Sequence, residues 1–344
     1  MRVTFAPRLV LAAMLLTGAV RAADDLPPPI GTIDFYGLGA IPREKVASKL
    51  PFKVGERVAR SSPKRKTEDL ARALGVARVN FAFICCLQNG TVEAYVGIEP
   101  QGSKPLEYNT APTGDIKLPA TLLEADDRFG TALVAAIQAN KADEDDSQGH
   151  ALSTYPPLRA VQDEYIAFAR EHVDLLEDVL ANAADGRQRA VAAEVLGYAP
   201  DKRAIVEPLT RAALDPDDGV RNNATRALGV ISQYSLAHPE LHIRIDPSPF
   251  VAMMNSVIWT DRNKGGFVLT GLTASRDPEV LDRLRRDAFP ALIEMCAWSN
   301  LGHAWSACLM LNRVLGMSDD MSDTTRALAL KRARFLEQWH ERHG

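Results

Sequence analysis

The sequence is poor in cysteine, in aromatic residues and in long hydrophobic runs. Four of its 344 residues are cysteine, and Phe, Trp and Tyr together make up 6%. Four cysteines are too few for a fold that depends on disulfides. No apolar run reaches the roughly 18 to 20 residues that a membrane-spanning helix needs. The formal net charge is −4 and the pI is about 6.0, so the chain lacks the basic field of a nucleic-acid-binding protein.

The N-terminus has the pattern of a secretory signal peptide. Arg2 and Arg8 precede a short apolar run from residue 9 to 16, and Val20 and Ala22 occupy the −3 and −1 positions of a cleavage site. We therefore expect residues 1–22 to be a signal peptide, and the mature chain to be periplasmic or secreted.

The cysteines fall into two pairs. Cys85 and Cys86 lie in an alternating apolar segment, and neighbours in a strand point to opposite faces, which is a poor geometry for a bond between them. They lack the spacing of C-x-x-C and a nearby histidine, so packing is favoured over redox or metal chemistry. Cys296 and Cys308 would form a disulfide if their helices are antiparallel neighbours, and the sequence leaves this open.

Residues 23–100 are predicted to form a small α/β domain. The pattern gives a strand at 32–36, helices at 41–50 and 67–74, and strands at 78–87 and 91–99, the last two joined by an Asn-Gly turn. The element order is β-α-α-β-β. Gly37-Leu38-Gly39 precedes the first helix, but Pro42 replaces the third glycine of the dinucleotide-binding fingerprint, so no nucleotide cofactor is expected.

Two segments of this domain carry a family resemblance. Ile33-Asp34-Phe35-Tyr36-Gly37 at the first strand and Leu50-Pro51-Phe52-Lys53-Val54-Gly55-Glu56 after the first helix resemble the polypeptide-transport-associated (POTRA) domain. The resemblance implies an extracytoplasmic module whose exposed strand edge recruits another chain. No membrane β-barrel sequence follows, so a role in barrel assembly is not expected.

Residues 101–120 are rich in Pro, Gly, Thr and Lys and are predicted to be a linker, and residues 121–344 are predicted to be helical repeats. The segments 187–197 and 220–229 align with Leu196 and Leu228 in register, 32 residues apart, and Arg189 aligns with Arg221. A period of this size indicates a helical solenoid. The predicted fold is mainly α, with a C-terminal α-solenoid preceded by the small α/β domain.

The turn Asp215-Pro216-Asp217-Asp218-Gly219-Val220-Arg221, followed by Ala224-x-x-Ala227-Leu228-Gly229, resembles HEAT repeats of the armadillo type. A third unit is predicted at 264–284 and an atypical cap at 305–316. The resemblance implies a non-catalytic scaffold that binds an envelope protein or peptide. From their positions in the repeats or at a loop edge, Arg189, Arg221, Arg226 and Trp259 are predicted partner contacts.

The loop from His238 to Asp246 carries the alternative hypothesis of a hydrolase or ligand-processing site. His238 and His242 are four residues apart with Glu240 between them, which suggests zinc. A zinc-protease motif needs Glu directly after the first His, on one helix, and Pro239 stands there instead. A surface loop is therefore favoured, and no metal, cofactor or catalytic residue is predicted.

Overall fold

The computed structural model describes residues 27–58, 63–84 and 90–343. The predicted signal peptide, the cysteines at 85 and 86 and the Asn of the predicted Asn-Gly turn lie outside these ranges. No helix among the described residues is both long and apolar enough to cross a bilayer.

The described chain divides into two compact units. The first, residues 108–249, is named here the repeat unit. The second, named the mixed unit, combines residues 27–107 with residues 250–343. The predicted domain boundaries differ from this division. They assign residues 121–344 to one repeat domain, whereas in the structure the helices after residue 250 fold with the α/β segment.

The repeat unit is built almost entirely from helices. Its helices are α3 (Ala120–Gln138), α4 (Pro156–Glu171), α5 (Val173–Asn182), α6 (Gly186–Leu196), α7 (Val206–Ala212) and α8 (Asp218–Ala237), with a 3-10 turn at Pro239–Leu241. Two short strands, β4 (Glu144–Asp145) and β5 (Leu152–Ser153), pair antiparallel between α3 and α4. Helix α6 packs against α5 and α8, and α7 packs against α8.

The mixed unit begins with a three-stranded sheet and two helices. The elements are β1 (Ile30–Tyr36), α1 (Arg43–Ala47), α2 (Pro63–Leu74), β2 (Arg78–Ile84) and β3 (Val92–Glu99), which confirms the predicted β-α-α-β-β order. After residue 250 follow the helices α10 (Trp259–Leu272), α11 (Pro278–Asp287), α12 (Phe289–Cys296), α13 (Leu301–Val314) and α14 (Asp323–His343). Helix α9 (Ser248–Met253) spans the boundary between the two units.

The sheet order is β1-β3-β2, with β1 parallel and β2 antiparallel to β3. Strand β3, which covers most of the predicted strand 91–99, is therefore paired on both sides. The strand edges on which the POTRA resemblance depends are β1 and β2.

Each face of the sheet contacts a different set of helices. Because side chains alternate along a strand, Phe35 and Val96 point to one face and Tyr36 and Tyr95 to the other. The first face forms an apolar core with residues of α1 and α2, among them Val46 and Leu70. On the second face the hydroxyl of Tyr36 donates to the carbonyl of Val257 at 2.8 Å, and Tyr95 packs against Trp259 and Trp298. This aromatic second face is the physical reason that residues after 250 join the mixed unit.

Gly37 and Leu38 hold a carboxylate from the C-terminal helices. Their backbone N–H groups donate to the two oxygens of Glu294 on α12, at 2.7 and 3.1 Å. Successive N–H groups in a turn form a concavity that binds anions. Here the Glu294 carboxylate of the same chain accepts the hydrogen bonds of the Gly-Leu-Gly turn. Cys296 and Cys308, at α12 and α13, form a disulfide with their Cα atoms 4.6 Å apart.

Candidate functional site

The repeat unit uses the same stabilising device in two successive repeats. Asp185 caps α6 and Asp217 caps α8, each accepting a hydrogen bond from a backbone N–H of the first turn. Four residues after each cap, an arginine turns back to the preceding loop. Arg189 donates to the carbonyls of Ala183 and Ala184, and Arg221 donates to those of Asp215 and Pro216.

Asp215 joins the two repeats through its side chain. Nε and one terminal nitrogen of Arg189 each donate to a different oxygen of Asp215 at 2.8 Å. The side chains of Arg189 and Asp215 are 3% and 8% exposed. Hydrogen bonding to Asp215 raises the pKa of the Arg189 guanidinium, although burial opposes this. The paired charges and the carbonyls together satisfy a buried guanidinium and fix the spacing of the helices.

Three of the four predicted contact residues, Arg189, Arg221 and Trp259, are buried. The guanidinium of Arg221 also lies over the ring of Tyr108, 4.2 Å from its centroid. Arg226 pairs with Glu144, and its side chain is 18% exposed. Their positions in the repeats or at a loop edge predicted them as partner contacts. In the structure Arg189 and Arg221 hydrogen-bond within the repeat unit, and Trp259 packs against Tyr95.

A second buried cluster lies around Lys202. Its Nζ donates to the carbonyl of Gly197 at 2.8 Å and lies 3.0 Å from Nδ1 of His150. Burial lowers the pKa of Lys202 to about 7, and burial together with the nearby Lys202 lowers the pKa of His150 to about 4. The Lys202 amine binds a carbonyl left free at the end of α6, which is a structural role.

The exposed side of the repeat unit carries a groove of about 460 Å³. We name it the basic groove, and it is lined by Arg203, Val206, Glu207, His242 and Arg244. Val206 and Glu207 belong to α7, whereas His242 and Arg244 come from the loop after α8. The sequence pattern indicates that loop but not that it lines a groove together with α7, because the two segments are more than 30 residues apart in the chain.

Arg203 illustrates why sequence spacing alone is ambiguous. Glu207 is four residues from both Arg203 and Arg211, and such spacing favours ion pairs only within one helix. Helix α7 begins at Val206, so Arg203 lies before it, and Glu207 pairs with Arg211 at 3.2 Å.

The predicted alternative site between His238 and Asp246 is not assembled as a metal centre. His238 ends α8, stacks on Tyr234 and pairs with Glu240, with Nδ1 3.1 Å from Oε1. His242 follows the 3-10 turn in the left-handed conformation, with φ of 50°. Within the described part of the chain, no group of three or more His, Cys, Asp or Glu side chains is arranged to hold a metal ion.

The mixed unit contains a buried acidic pair that no sequence pattern predicts. Asp34 of β1 and Glu93 of β3 are 2% and 0% exposed. Asp34 accepts from the backbone N–H of Ser299 at 2.6 Å, and Nδ1 of His303 lies 3.3 Å from Oε2 of Glu93. A charged residue inside each strand is the available sequence signal, but their proximity depends on the parallel register of β1 and β3.

The two carboxyls shift in opposite directions. Burial raises the pKa of Asp34, and the neighbouring Glu93 adds to this increase. The hydrogen bonds from Ser299 act to lower the pKa but do not outweigh burial. Burial also acts to raise the pKa of Glu93. Hydrogen bonds with the His303, Tyr95 and Asp34 side chains outweigh burial, so the pKa of Glu93 is lowered overall. The pair therefore retains a proton on Asp34 to higher pH than an isolated aspartate would.

The repeat unit thus has the architecture of a helical repeat protein. A family model described as HEAT repeats matches residues 173–245, which span α5 to the loop after α8. This segment is therefore similar to HEAT repeats. No curated protein matches the chain.

Proposed function

We propose that this protein is an exported, non-catalytic scaffold that binds a protein or peptide partner through its helical repeats. The HEAT repeats at 173–245 carry the proposal, because stacked helical repeats present extended surfaces that suit binding of other proteins.

The interior of the repeats supports a binding role over a catalytic one. The buried charged residues Arg189, Asp215 and Arg221 make their hydrogen bonds within the repeat unit itself. These contacts hold α6, α8 and the turn at 215–217 between α7 and α8 in fixed positions relative to one another. A rigid surface loses little conformational entropy when a partner binds.

Export is supported by the signal-peptide pattern of residues 1–22 and by the disulfide between Cys296 and Cys308. Disulfides persist in oxidising compartments such as the bacterial periplasm and are rare in the cytosol. The POTRA-like resemblance of residues 30–100 adds a second proposed docking element, a strand edge at β1 or β2.

The test is crosslinking of the tagged protein in its native bacterial envelope, followed by mass spectrometry of the adducts. A form without residues 2–22 provides the control, since it should remain in the cytosol. The proposal expects a specific protein adduct that the control lacks. Equal adducts from both forms, or none, would refute it.

A further inference from the structure

The basic groove is partly open to solvent and has more basic than acidic lining residues. Arg203, His242 and Arg244 are exposed around it, and all of its lining residues lie inside the segment matched by HEAT repeats. Its volume of about 460 Å³ falls within the range of ligand-binding pockets, roughly 300 to 1,000 Å³.

The two arginines of the groove differ from most arginines of the repeat unit. Neither guanidinium makes a hydrogen bond or an ion pair with another described residue. Other arginines of the unit have acidic partners, in the pairs Arg128–Glu164, Arg159–Asp163, Arg187–Asp127, Arg189–Asp215, Arg211–Glu207 and Arg226–Glu144.

The acidic residues close in sequence to the groove residues already have partners. Asp201 accepts from the backbone N–H groups of Arg203 and Ala204 at 3.0 and 3.1 Å. Glu207 pairs with Arg211, and Glu240 pairs with His238. The carboxylate of Asp246 accepts from the backbone N–H and the hydroxyl of Ser248, at 2.9 and 2.6 Å. The cationic side of the groove is therefore left for a ligand that supplies its own carboxylates.

The loop that carries Arg244 is anchored on both sides. Ile245 is 9% exposed, and the next residue, Asp246, is tied to Ser248. Before Arg244, the backbone N–H of His242 donates to the carbonyl of Pro239 at 3.2 Å. An anchored loop keeps its arginine near α7 rather than letting it extend freely into solvent.

We infer that the basic groove binds an acidic peptide segment of the partner, with carboxylates placed against Arg203 and Arg244. The inference rests on the proposed scaffold function and specifies the chemistry of its partner. Guanidinium groups pair with carboxylates through two parallel hydrogen bonds, which provides direction as well as charge.

The test uses a fluorescein-labelled hexaglutamate peptide, titrated with the full mature protein at low salt and followed by fluorescence anisotropy. A hexaglutamine peptide tests the need for charge. The Arg203→Gln/Arg244→Gln double variant removes both cations of the groove. Arg170→Gln is the matched control, because Arg170 is an exposed arginine of the same unit that does not line the groove.

We expect hexaglutamate to bind, hexaglutamine not to bind, and the double variant to lose about tenfold or more in affinity, the equivalent of two weak ion pairs. Arg170→Gln should stay within about twofold of the unmodified protein by the same reasoning. Equal binding by the double variant and the control, or no binding by the unmodified protein, would overturn the inference.

Envelope crosslinking separates failure of this inference from failure of the proposed function. If the double variant still captures the same partner at full yield, the groove is not its binding site but the scaffold function stands. If the unmodified protein captures no partner, the scaffold function itself fails.

Discussion

Arg189 and Asp215 face each other inside the repeat unit through two parallel hydrogen bonds of 2.8 Å. The two residues belong to successive repeats, and Arg221 repeats the contacts of Arg189 with the preceding loop one period later. The buried pair is thus a structural connection between repeats.

Replacement of Arg189 by Met should destabilise the repeat unit by roughly 3 to 5 kcal/mol, because it leaves the Asp215 carboxylate buried without its cation. Hydrogen exchange of peptides from α6 to α8 measures this loss locally. The four tryptophans, at 259, 298, 305 and 339, all lie outside the repeat unit, so their fluorescence reports the mixed unit separately.

Arg187→Met provides the matched control for Arg189→Met. Arg187 and Asp127 also form an ion pair, but their side chains are 52% and 70% exposed. An exposed pair contributes about 0 to 1 kcal/mol, so the control should stay within that range. Equal loss of protection in both variants would contradict the structural role of the buried pair.

Replacement of Asp34 by Asn should reduce the pH dependence of the mixed unit. The raised pKa of Asp34 means that the folded state keeps a proton that the unfolded chain releases near its ordinary pKa. Its stabilising contribution is therefore complete at low pH and is lost as pH rises through the folded pKa. The amide cannot ionise and still offers an oxygen to the N–H of Ser299.

Urea unfolding followed by tryptophan fluorescence from pH 4 to pH 8 tests the Asp34 prediction. The unmodified protein should lose more stability towards pH 8 than Asp34→Asn does. Asp282→Asn, at an exposed position of α11 paired with Arg285, should follow the unmodified protein. A pH profile of Asp34→Asn that coincides with the unmodified one would disprove the protonated pair.

Gly37→Ala should destabilise the mixed unit by about 2 kcal/mol or more, because two penalties combine. Gly37 has φ of 70°, and a Cβ there would lie 2.1 Å from the carbonyl oxygen of Ile98. Gly75→Ala separates the two penalties, since Gly75 has φ of 71° but nothing within 4 Å of an added Cβ. Urea midpoints that are the same for both alanine variants would argue against the close approach.

The double variant Cys296→Ala/Cys308→Ala should lose roughly 3 kcal/mol, the expected entropic effect of a loop of this size, without placing polar hydroxyls at these two buried positions. Thermal unfolding with and without dithiothreitol measures it. The reductant should lower the Tm of the unmodified protein to that of the double variant and leave the double variant unchanged. A Tm of the unmodified protein that is insensitive to reductant would show that the bond is absent.

Local patterns in the sequence predicted the helices, the strands and the repeats. Which elements pack together depends on contacts between residues that are distant in the chain. The Asn-Gly turn and apolar alternation gave the β-α-α-β-β order, and the 32-residue spacing of Arg189 and Arg221 gave the repeats. The aromatic face of Tyr36 and Tyr95 could not be read as a docking surface for residues after 250, because its partners lie more than 150 residues away.

The same limit applies to the candidate site. Spacing alone showed Arg189 at a repeated position but not its burial, which depends on Asp215 of the next repeat. Arg203 and Arg244 were not predicted as site residues, because no local motif contains both of them. The basic groove exists only when α7 and the loop after α8 fold together.

The most direct test of the scaffold function is site-specific photo-crosslinking in the native envelope. A photoreactive residue replaces Ala204, exposed beside the basic groove, or Lys49, exposed after α1 in the mixed unit. Binding through the repeats predicts a discrete adduct with an envelope protein from position 204 that position 49 does not give. An adduct from position 49 alone, with none from position 204, would contradict binding through the repeats.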